Sequence, residues 1–183
     1  MKKLKEYLVP TLILFVICLV ATALLGITNA VTAPEIEALA IQNEKDTRLE
    51  VFPDAASFGE KADESVNIVP ALDGNGETIG YVVVTSAKGY GGEVEVMTGV
   101  TLDGKVTGIS ILSHSETPGL GAKAKTDDKW RGQFTDKISG ITVSKDQAGD
   151  NSIDAITGAT ITSRAVVAAV NEAIELAGGE NVG

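Results

Sequence analysis

The chain contains the sequence IGYVVVTSAKGYGGEVEVMTGVTLDGKVTGISIL (residues 79–112), from which its architecture is most readily predicted. Apolar and polar residues alternate over Glu93–Leu102 and Lys105–Leu112, which is the period of half-buried β-strands. Asp103-Gly104 lies between these two segments and predicts a tight hairpin. Ile79–Ser86, rich in Val, predicts a further strand of the same antiparallel sheet.

Segments on either side of this stretch complete the predicted domain. Asn67–Ala71 and the turn Asp73-Gly74-Asn75-Gly76 predict a second hairpin with Ile79–Ser86, and Ile141–Ser144 predicts another strand. Helices are predicted from Ala33 to about Val51, where Phe52-Pro53 stops the helix, and over Arg164–Ala177, which Gly178-Gly179 ends. The apolar stripe of the first helix is formed by Ile36, Leu39, Ala40 and Leu49. Antiparallel strands flanked by helices define an α+β domain.

The N-terminal region contains an uncharged segment, since no charged residue occurs between Glu6 and Glu35. Roughly 20 apolar residues in a helix cross a bilayer core of about 30 Å, so a single transmembrane helix is predicted from Tyr7 to about Val31. The helix predicted from Ala33 to about Val51 is expected to continue from it with a break at Pro34. Lysines precede the segment and glutamates follow it, which places the N-terminus in the cytoplasm. We therefore expect residues 1–33 to be the cytoplasmic N-terminus and anchor in the inner or plasma membrane, in contact with lipid. Residues 34–183 are then extracytoplasmic. The alternative is a cleaved signal peptide, which exports the same residues.

Composition excludes several classes of function. The chain has 15 Lys+Arg against 25 Asp+Glu, a net charge of −10, and its first six residues hold three Lys and one Glu. Such an acidic chain repels phosphate backbones, so no nucleic-acid partner is expected. The single Cys and single His exclude a disulfide framework, a Cys-based metal site and a multi-His metal cluster.

A segment of small residues, Asp154-Ala155-Ile156-Thr157-Gly158-Ala159-Thr160, leads through Ile161-Thr162-Ser163 into the last predicted helix. A helix N-terminus presents unpaired N–H groups and partial positive charge, which suit a phosphate. Gly158 permits a sharp turn or the close approach of a ligand. The alternative is an ordinary N-cap formed by Thr162 or Ser163 with nothing bound.

A second candidate loop, Ser113 to Gly121, follows a strand and holds the only His. Pro118 and two glycines permit a flat ligand to approach closely, although a plain connecting loop has the same composition. The glycine-rich segment Lys88-Gly89-Tyr90-Gly91-Gly92 is read as a ligand cradle or, more simply, as a turn between strands. Trp130 is expected to pack in the core or as a lid, or else to stack on a ring.

Together these segments resemble the family of membrane-anchored, covalently flavinylated FMN-binding subunits. The family includes the G subunit of the Rnf ion-translocating ferredoxin:NAD oxidoreductase and the C subunit of the Na⁺-pumping NADH:quinone oxidoreductase. Asp154 to Thr160 matches the family's flavinylation signature, Asp-x-x-Ser/Thr-Gly-Ala-Thr/Ser. His114 to Gly121 matches its second signature, His-x-Glu-Thr-Pro-Gly-Leu-Gly. The short chain is more similar to the Rnf G subunit than to the longer relative.

The resemblance implies FMN joined to Thr160 by a phosphodiester bond, so that the chain is a phosphoprotein. A separate flavin transferase would move the FMN part of FAD onto this hydroxyl, with Asp154 recognised by the transferase or bracing the turn. The phosphate would meet N–H groups of about residues 161–164. The resemblance places the remaining cofactor contacts at Thr157, Gly158, Ala159, Ile161 and Thr162 near the phosphate, and at Glu116, Thr117, Gly119 and Leu120 near the isoalloxazine ring.

The function implied is electron transfer by a flavoprotein subunit within the membrane complex, whose other subunits are its partners. That complex couples ferredoxin/NAD redox chemistry to Na⁺ or H⁺ translocation. The chain would be an electron carrier rather than a stand-alone catalyst, with no catalytic or metal-binding residues of its own. Two alternatives are an exported FMN-binding redox or regulatory domain outside an ion pump, and an anchored structural domain without a cofactor.

Overall fold

The computed structural model describes residues 2–61 and 67–180. The chain divides into two compact units, Met1–Asn43 and Glu44–Gly183. The helices are α1 (Lys2–Val51), α2 (Lys123–Thr126), α3 (Asp128–Arg131) and α4 (Thr160–Glu180), with a 3₁₀ turn at Gly132–Phe134. The strands are β1 (Ser57–Phe58), β2 (Ile68–Leu72), β3 (Thr78–Lys88), β4 (Glu93–Thr101), β5 (Val106–His114), β6 (Thr142–Val143) and β7 (Ser152–Ile153).

The first unit is the apolar part of α1. Its segment Pro10–Ile36 is 27 residues long and contains an 18-residue stretch with a mean hydropathy of 2.6. A helix of this length spans about 40 Å, which is enough to cross a bilayer core. The predicted break at Pro34 is wrong, because α1 continues through both Pro10 and Pro34. Ile36 is exposed, and the side chains of Leu39 and Ala40 lie outside the described residues.

The second unit is built on a five-stranded antiparallel sheet in the order β1-β2-β3-β4-β5. Both predicted hairpins are confirmed. Asp73 Oδ1 closes the first by accepting hydrogen bonds from the Asn75 and Glu77 N–H groups at 2.8 and 2.9 Å. Gly104 provides the positive φ of 77° that the second requires. Antiparallel strands with flanking helices confirm the predicted α+β class.

Both faces of this sheet are buried. On one face Val83, Val96 and Ile111 join a core with α4 residues such as Val166 and Val170. On the other, Val82 and Met97 pack with Val51 and Phe52 at the end of α1. Successive strand residues therefore serve opposite cores. Leu49, predicted to belong to the apolar stripe of this helix, remains exposed. Val51 and Phe52 make the apolar contacts with the sheet instead.

The end of α1 lies close against the sheet because two strand residues that face it are glycines. A Cβ at Gly99 would stand 2.4 Å from the Val51 carbonyl oxygen, and one at Gly80 would stand 2.6 Å from the Phe52 ring. Such distances exclude any larger residue without a backbone shift. The two glycines of β3 and β4 thus determine where the predicted stop at Phe52-Pro53 is placed.

Strand β6 differs from the prediction in its length and in its pairing. The strand expected over Ile141–Ser144 is only Thr142–Val143, and it pairs in parallel with β7 rather than within the antiparallel sheet. Turns and bends over residues 144–151 lead the chain back to the start of β6, so that β7 runs beside β6 in the same direction.

The last helix is longer than predicted at both ends. It begins at Thr160 rather than Arg164 and continues past Gly178 to Glu180. Ser163 lies in its first turn, where its Oγ accepts a hydrogen bond from the Ile156 N–H at 3.0 Å and donates one to the Ala159 carbonyl at 3.1 Å. Thr162 and Ser163 therefore stabilise the first turn from within the helix instead of serving as its N-cap.

Candidate functional site

A cleft of about 590 Å³ opens where the loop after β5, the turn after β6 and the start of α4 meet. It is lined by Tyr90, Glu116, Thr117, Leu120, Gly121, Lys145, Gly158, Ala159, Thr160, Ile161 and Thr162. The segment Asp154–Thr160 and the loop Ser113–Gly121, both singled out in the sequence, contribute to this one cleft. The fold brings them together although about 40 residues separate them along the chain.

The start of α4 forms one wall. Gly158 has a φ of 80°, a conformation that favours glycine, and the Ala159 N–H donates to the Ile156 carbonyl at 2.9 Å. This tight turn places Thr160 as the first residue of α4, half-buried and lining the cleft. Its Oγ1 accepts a hydrogen bond from Lys145 Nζ at 3.3 Å. The wall thus combines a hydroxyl, an ammonium group and the N–H end of a long helix.

Glu116 connects the two walls. Its side chain is buried, 6 % exposed, and its Oε2 accepts a hydrogen bond from Thr162 Oγ1 at 2.6 Å. Its Oε1 accepts one from the Gly91 N–H at 3.0 Å. The carboxylate therefore joins the glycine-rich turn after β3 to the first turn of α4.

The protonation of Glu116 follows from these contacts. Burial alone would raise the pKa of this carboxyl. The hydrogen bonds from Thr162 and from the Gly91 and Tyr90 N–H groups, with a contribution from His114, outweigh burial and hold its pKa below the ordinary value of 4.5. Glu116 is therefore a carboxylate at neutral pH, and its contribution to stability is lost only as the pH falls below 4.5.

Gly121 leaves the room that this carboxylate needs. A Cβ at this position would stand 2.4 Å from Glu116 Oε2 and 2.6 Å from Thr162 Oγ1. His114 lies at the end of β5, where its Nδ1 accepts a hydrogen bond from the Glu116 N–H at 3.2 Å. His114 consequently orients the loop and is not among the residues that line the cleft.

Exposed apolar side chains surround the opening. Tyr90, Leu120 and Ile161 line the cleft with exposed fractions of 73, 45 and 49 %. Large exposed apolar groups at the mouth of a polar-floored cleft are typical of a site for a flat organic ligand. These groups offer surfaces on which a ring system can pack.

Asp154 lies beside the cleft, and its contacts hold the segment that leads to Thr160. Its Oδ1 accepts a hydrogen bond from Ser144 Oγ at 2.8 Å. Its carbonyl oxygen accepts one from Trp130 Nε1 at 2.7 Å, and its N–H donates to Gln133 Oε1 at 2.8 Å. Trp130 is buried and makes an edge-to-face contact with Phe134 at 5.4 Å between ring centroids. Trp130 packs in the core, as one of the two interpretations of the sequence predicted.

Eight of the ten residues predicted to contact a cofactor line the cleft, whereas Thr157 and Gly119 do not. The cleft also contains three residues outside the predicted set, namely Tyr90, Gly121 and Lys145. Tyr90 and Gly121 belong to segments that composition had singled out. Lys145 lies in a turn with no motif, and nothing in the sequence marked it.

The residues present fit an FMN group. The cleft volume of about 590 Å³ lies in the usual range of cofactor sites, about 300–1,000 Å³. Thr160, Lys145 and the first N–H groups of α4 would hold the phosphate, and Leu120, Ile161 and Tyr90 offer apolar contact to a ring. Glu116 and Thr162 are hydrogen-bonded to each other, and both line the floor of the cleft.

Comparison with known proteins agrees with this geometry. Residues 89–175 match the FMN-binding domain family, and residues 1–51 match the family described as RnfG N-terminal region. The fold and the cleft therefore define a protein of the FMN-binding class with an N-terminal apolar helix.

Full-length relatives specify the family further. The chain is 42% identical to the G subunit of the Na(+)-translocating ferredoxin:NAD(+) oxidoreductase complex of Acetobacterium woodii, over 90% of this chain and 88% of the relative. It is also 42% identical to the G subunit of the proton-translocating complex of Clostridium ljungdahlii, over 88% and 86%. The chain belongs to the family of G subunits of ion-translocating ferredoxin:NAD⁺ oxidoreductase complexes.

Solved structures share the fold. The chain is similar to the crystal structure of Shewanella oneidensis NqrC, with a TM-score of 0.51 and 20% identity over 71% of this chain and 70% of that one. It is similar to the C subunit of the Na(+)-translocating NADH-quinone reductase of Parabacteroides distasonis, with a TM-score of 0.51 and 25% identity over 62% and 60%.

Proposed function

We propose that this chain is the electron-transfer flavoprotein subunit of an ion-translocating ferredoxin:NAD oxidoreductase complex, and that it carries FMN on Thr160 through a phosphodiester bond. The observation that carries the proposal is the position of Thr160. Its hydroxyl lies in the cleft at the first residue of α4, 3.3 Å from the Lys145 ammonium. A hydroxyl, a cation and a helix start together suit an esterified phosphate.

Attachment requires a flavin transferase that supplies FAD. A bond forms between Thr160 Oγ1 and the phosphorus of the FMN part, and the bond from that phosphorus to the oxygen of AMP breaks. AMP leaves, and the hydroxyl proton is released to solvent. Asp154 would be read by the transferase. Its contacts with Ser144 and Trp130 also hold the segment Asp154–Thr160 in place.

FMN, when bound, supplies a ring that accepts and releases electrons. The apolar side chains of Leu120 and Ile161 would pack against this ring and exclude water from it. Thr117 and Gly121 line the same cleft. Glu116 is ionised and held by Thr162 and Gly91, so it contributes a fixed negative charge to the lining of the cleft.

This subunit is an electron carrier in the complex and relies on other Rnf subunits as partners. One apolar helix without charged residues between Glu6 and Glu35 offers no path for an ion. The chain is as similar to the Na⁺-translocating relative as to the proton-translocating one, at 42% identity each. Equal similarity is consistent with an ion pathway formed by other subunits.

The location follows from the lysines before the helix. The positive-inside rule places the N-terminus in the cytoplasm, residues 1–33 as cytoplasmic segment and anchor in contact with lipid, and residues 34–183 outside. Covalent attachment suits an extracytoplasmic domain, because a lost cofactor could not readily be replaced there. Co-purification with polytopic membrane subunits would support membership of such a complex, whereas isolation as a lone flavoprotein would support a redox or regulatory domain outside an ion pump.

The attachment is tested by intact mass and by in-gel flavin fluorescence after co-expression with the transferase. The wild-type mass should rise by one FMN. Thr160→Ala should lose both signals, and Thr160→Ser, which keeps a hydroxyl, should retain them. Thr126→Ala, which removes an exposed hydroxyl outside the cleft, should behave as wild type. A fluorescent Thr160→Ala band under denaturing conditions would contradict attachment at this residue.

A further inference from the structure

Lys145 is the cleft residue that the sequence did not mark. It is exposed, lines the cleft, and donates a hydrogen bond from its Nζ to Thr160 Oγ1 at 3.3 Å. In the described part of the chain it forms no salt bridge with a carboxylate. In a chain with a net charge of −10, its positive charge is thus directed at a hydroxyl instead of at an acidic side chain.

The residues on either side of Lys145 hold it in this position. Ser144 Oγ donates to Oδ1 of Asp154, which precedes Thr160 in the chain, at 2.8 Å. Nε of Arg164, which follows Thr160, donates to Asp146 Oδ2 at 2.7 Å, and Arg164 Nη2 donates to Asp146 Oδ1.

Asp146, the acidic residue that follows Lys145 in the sequence, is paired with Arg164. The hydrogen bond and charge of Arg164 hold the pKa of Asp146 below its ordinary value, so this carboxyl is ionised at neutral pH. The pair is bidentate, which is the geometry in which the planar guanidinium group of arginine matches a carboxylate. Arg164 therefore engages Asp146 and leaves Lys145 available to a ligand.

We propose that Lys145 is the counter-cation of the phosphate that is joined to Thr160, and that the turn Ser144-Lys145-Asp146 positions it. This inference rests on the proposed attachment of FMN to Thr160. Once Oγ1 is esterified, the phosphorus bonded to it also carries two non-bridging oxygens, which share one negative charge. The Lys145 ammonium group, already hydrogen-bonded to Oγ1, would then pair with one of these oxygens.

Physical chemistry favours this pairing. An ammonium–phosphate hydrogen bond is charge-assisted and stronger than the ammonium–hydroxyl contact that it replaces. The N–H groups at the start of α4 act on the same phosphate from the other side. Because Lys145 is exposed, screening by water and salt limits the effect to a few-fold change in any measured rate.

The first test measures the acylation rate of lysines in the full-length chain in detergent, with and without FMN attached. Peptide mass spectrometry follows Lys145 and, as a matched control, Lys129, which is exposed on α3 and does not line the cleft. Attachment should slow acylation of Lys145 about three- to fivefold at low salt and leave Lys129 unchanged. The protection should fall at about 1 M salt, where screening acts within about 3 Å.

The second test compares the ³¹P resonance of the attached phosphate in wild type and three loaded variants. Lys145→Met should shift the resonance, Lys145→Arg should return it towards the wild-type position, and Lys129→Met should leave it in place. The wild-type acylation test needs no substitution, so it decides the matter even where Lys145→Met fails to fold.

The two proposals fail in different ways. A wild-type chain without added FMN mass would overturn the proposed function. A chain that carries FMN on Thr160, yet whose Lys145 is acylated equally in both forms, would overturn the pairing alone. Protection that persists unchanged at high salt would show shielding by the flavin and would also overturn it.

Discussion

Gly121 shows how one missing Cβ shapes the cleft. The position adjoins both partners of the shortest contact in the cleft floor, Glu116 Oε2 and Thr162 Oγ1. A side chain here would separate them and leave a buried carboxylate with fewer donors. Since an unsatisfied buried charge costs more than a typical hydrogen bond contributes, the glycine is required by packing and electrostatics together.

Gly121→Ala should therefore lower the free energy of unfolding by about 1–3 kcal/mol. Urea unfolding followed by Trp130 fluorescence measures this change. Gly132→Ala is the matched control, since a Cβ there meets nothing within 4 Å and its φ of −61° suits alanine. Equal stability of the two variants would show that the loop moves aside without cost.

At the scale of elements, the segment Asp154–Thr160 is held in place by contacts with neighbouring parts of the fold. Asp127 is the N-cap of the short helix α3, and its side chain accepts a hydrogen bond from the Trp130 N–H at 3.0 Å. The Trp130 indole then reaches the Asp154 carbonyl oxygen. The turn after β6 adds its own contacts to Asp154 and Arg164. The segment that contains α3 and the turn after β6 thus hold the start of α4 in its position beside the cleft.

Trp130→Phe tests this coupling. It keeps an aromatic ring against Phe134 and removes the indole N–H, which leaves the Asp154 carbonyl without this donor. We expect a loss of about 1–2 kcal/mol in stability, measured by circular dichroism during urea unfolding. FMN attachment by the transferase, followed by intact mass, should also slow because Asp154 is less firmly held. An unchanged attachment rate in a destabilised variant would limit Trp130 to a packing role.

At the scale of the whole molecule, charge and hydropathy along the chain determine its relation to the membrane. The uncharged segment lies between a lysine-rich start and a strongly acidic remainder. The chain has a single Cys, Cys18, within the apolar helix. Topology can therefore be mapped by introducing cysteines into a Cys18→Ala background.

Ser139→Cys, in an exposed loop, should react with a membrane-impermeant maleimide applied from the outer side of the membrane. Lys3→Cys should react only after permeabilisation, because the positive-inside rule places it in the cytoplasm. Gel-shift of the labelled chain reads both outcomes. The opposite labelling pattern would reverse the proposed orientation. Loss of the N-terminal residues from the mature mass would favour a cleaved signal peptide.

Local sequence patterns determined much of this protein. Alternating apolar residues and the turn residues Asp73 and Gly104 predicted the hairpins, because these signals act over a few neighbouring residues. The segments Asp154–Thr160 and His114–Gly121 pointed to one cofactor by resemblance. The length of the uncharged segment was sufficient to predict an apolar helix that could cross a membrane.

Tertiary structure decided the rest. The start of α4 at Thr160 depends on the Ser163 hydroxyl bonding back to Ile156, and the parallel pairing of β6 with β7 depends on a turn with no sequence signature. Lys145 reaches Thr160 only because Ser144 and Asp146 are tied to residues 10 and 18 positions further along the chain. Contacts between distant segments have no local period or motif, so they arise only when the folded sheet brings those segments together.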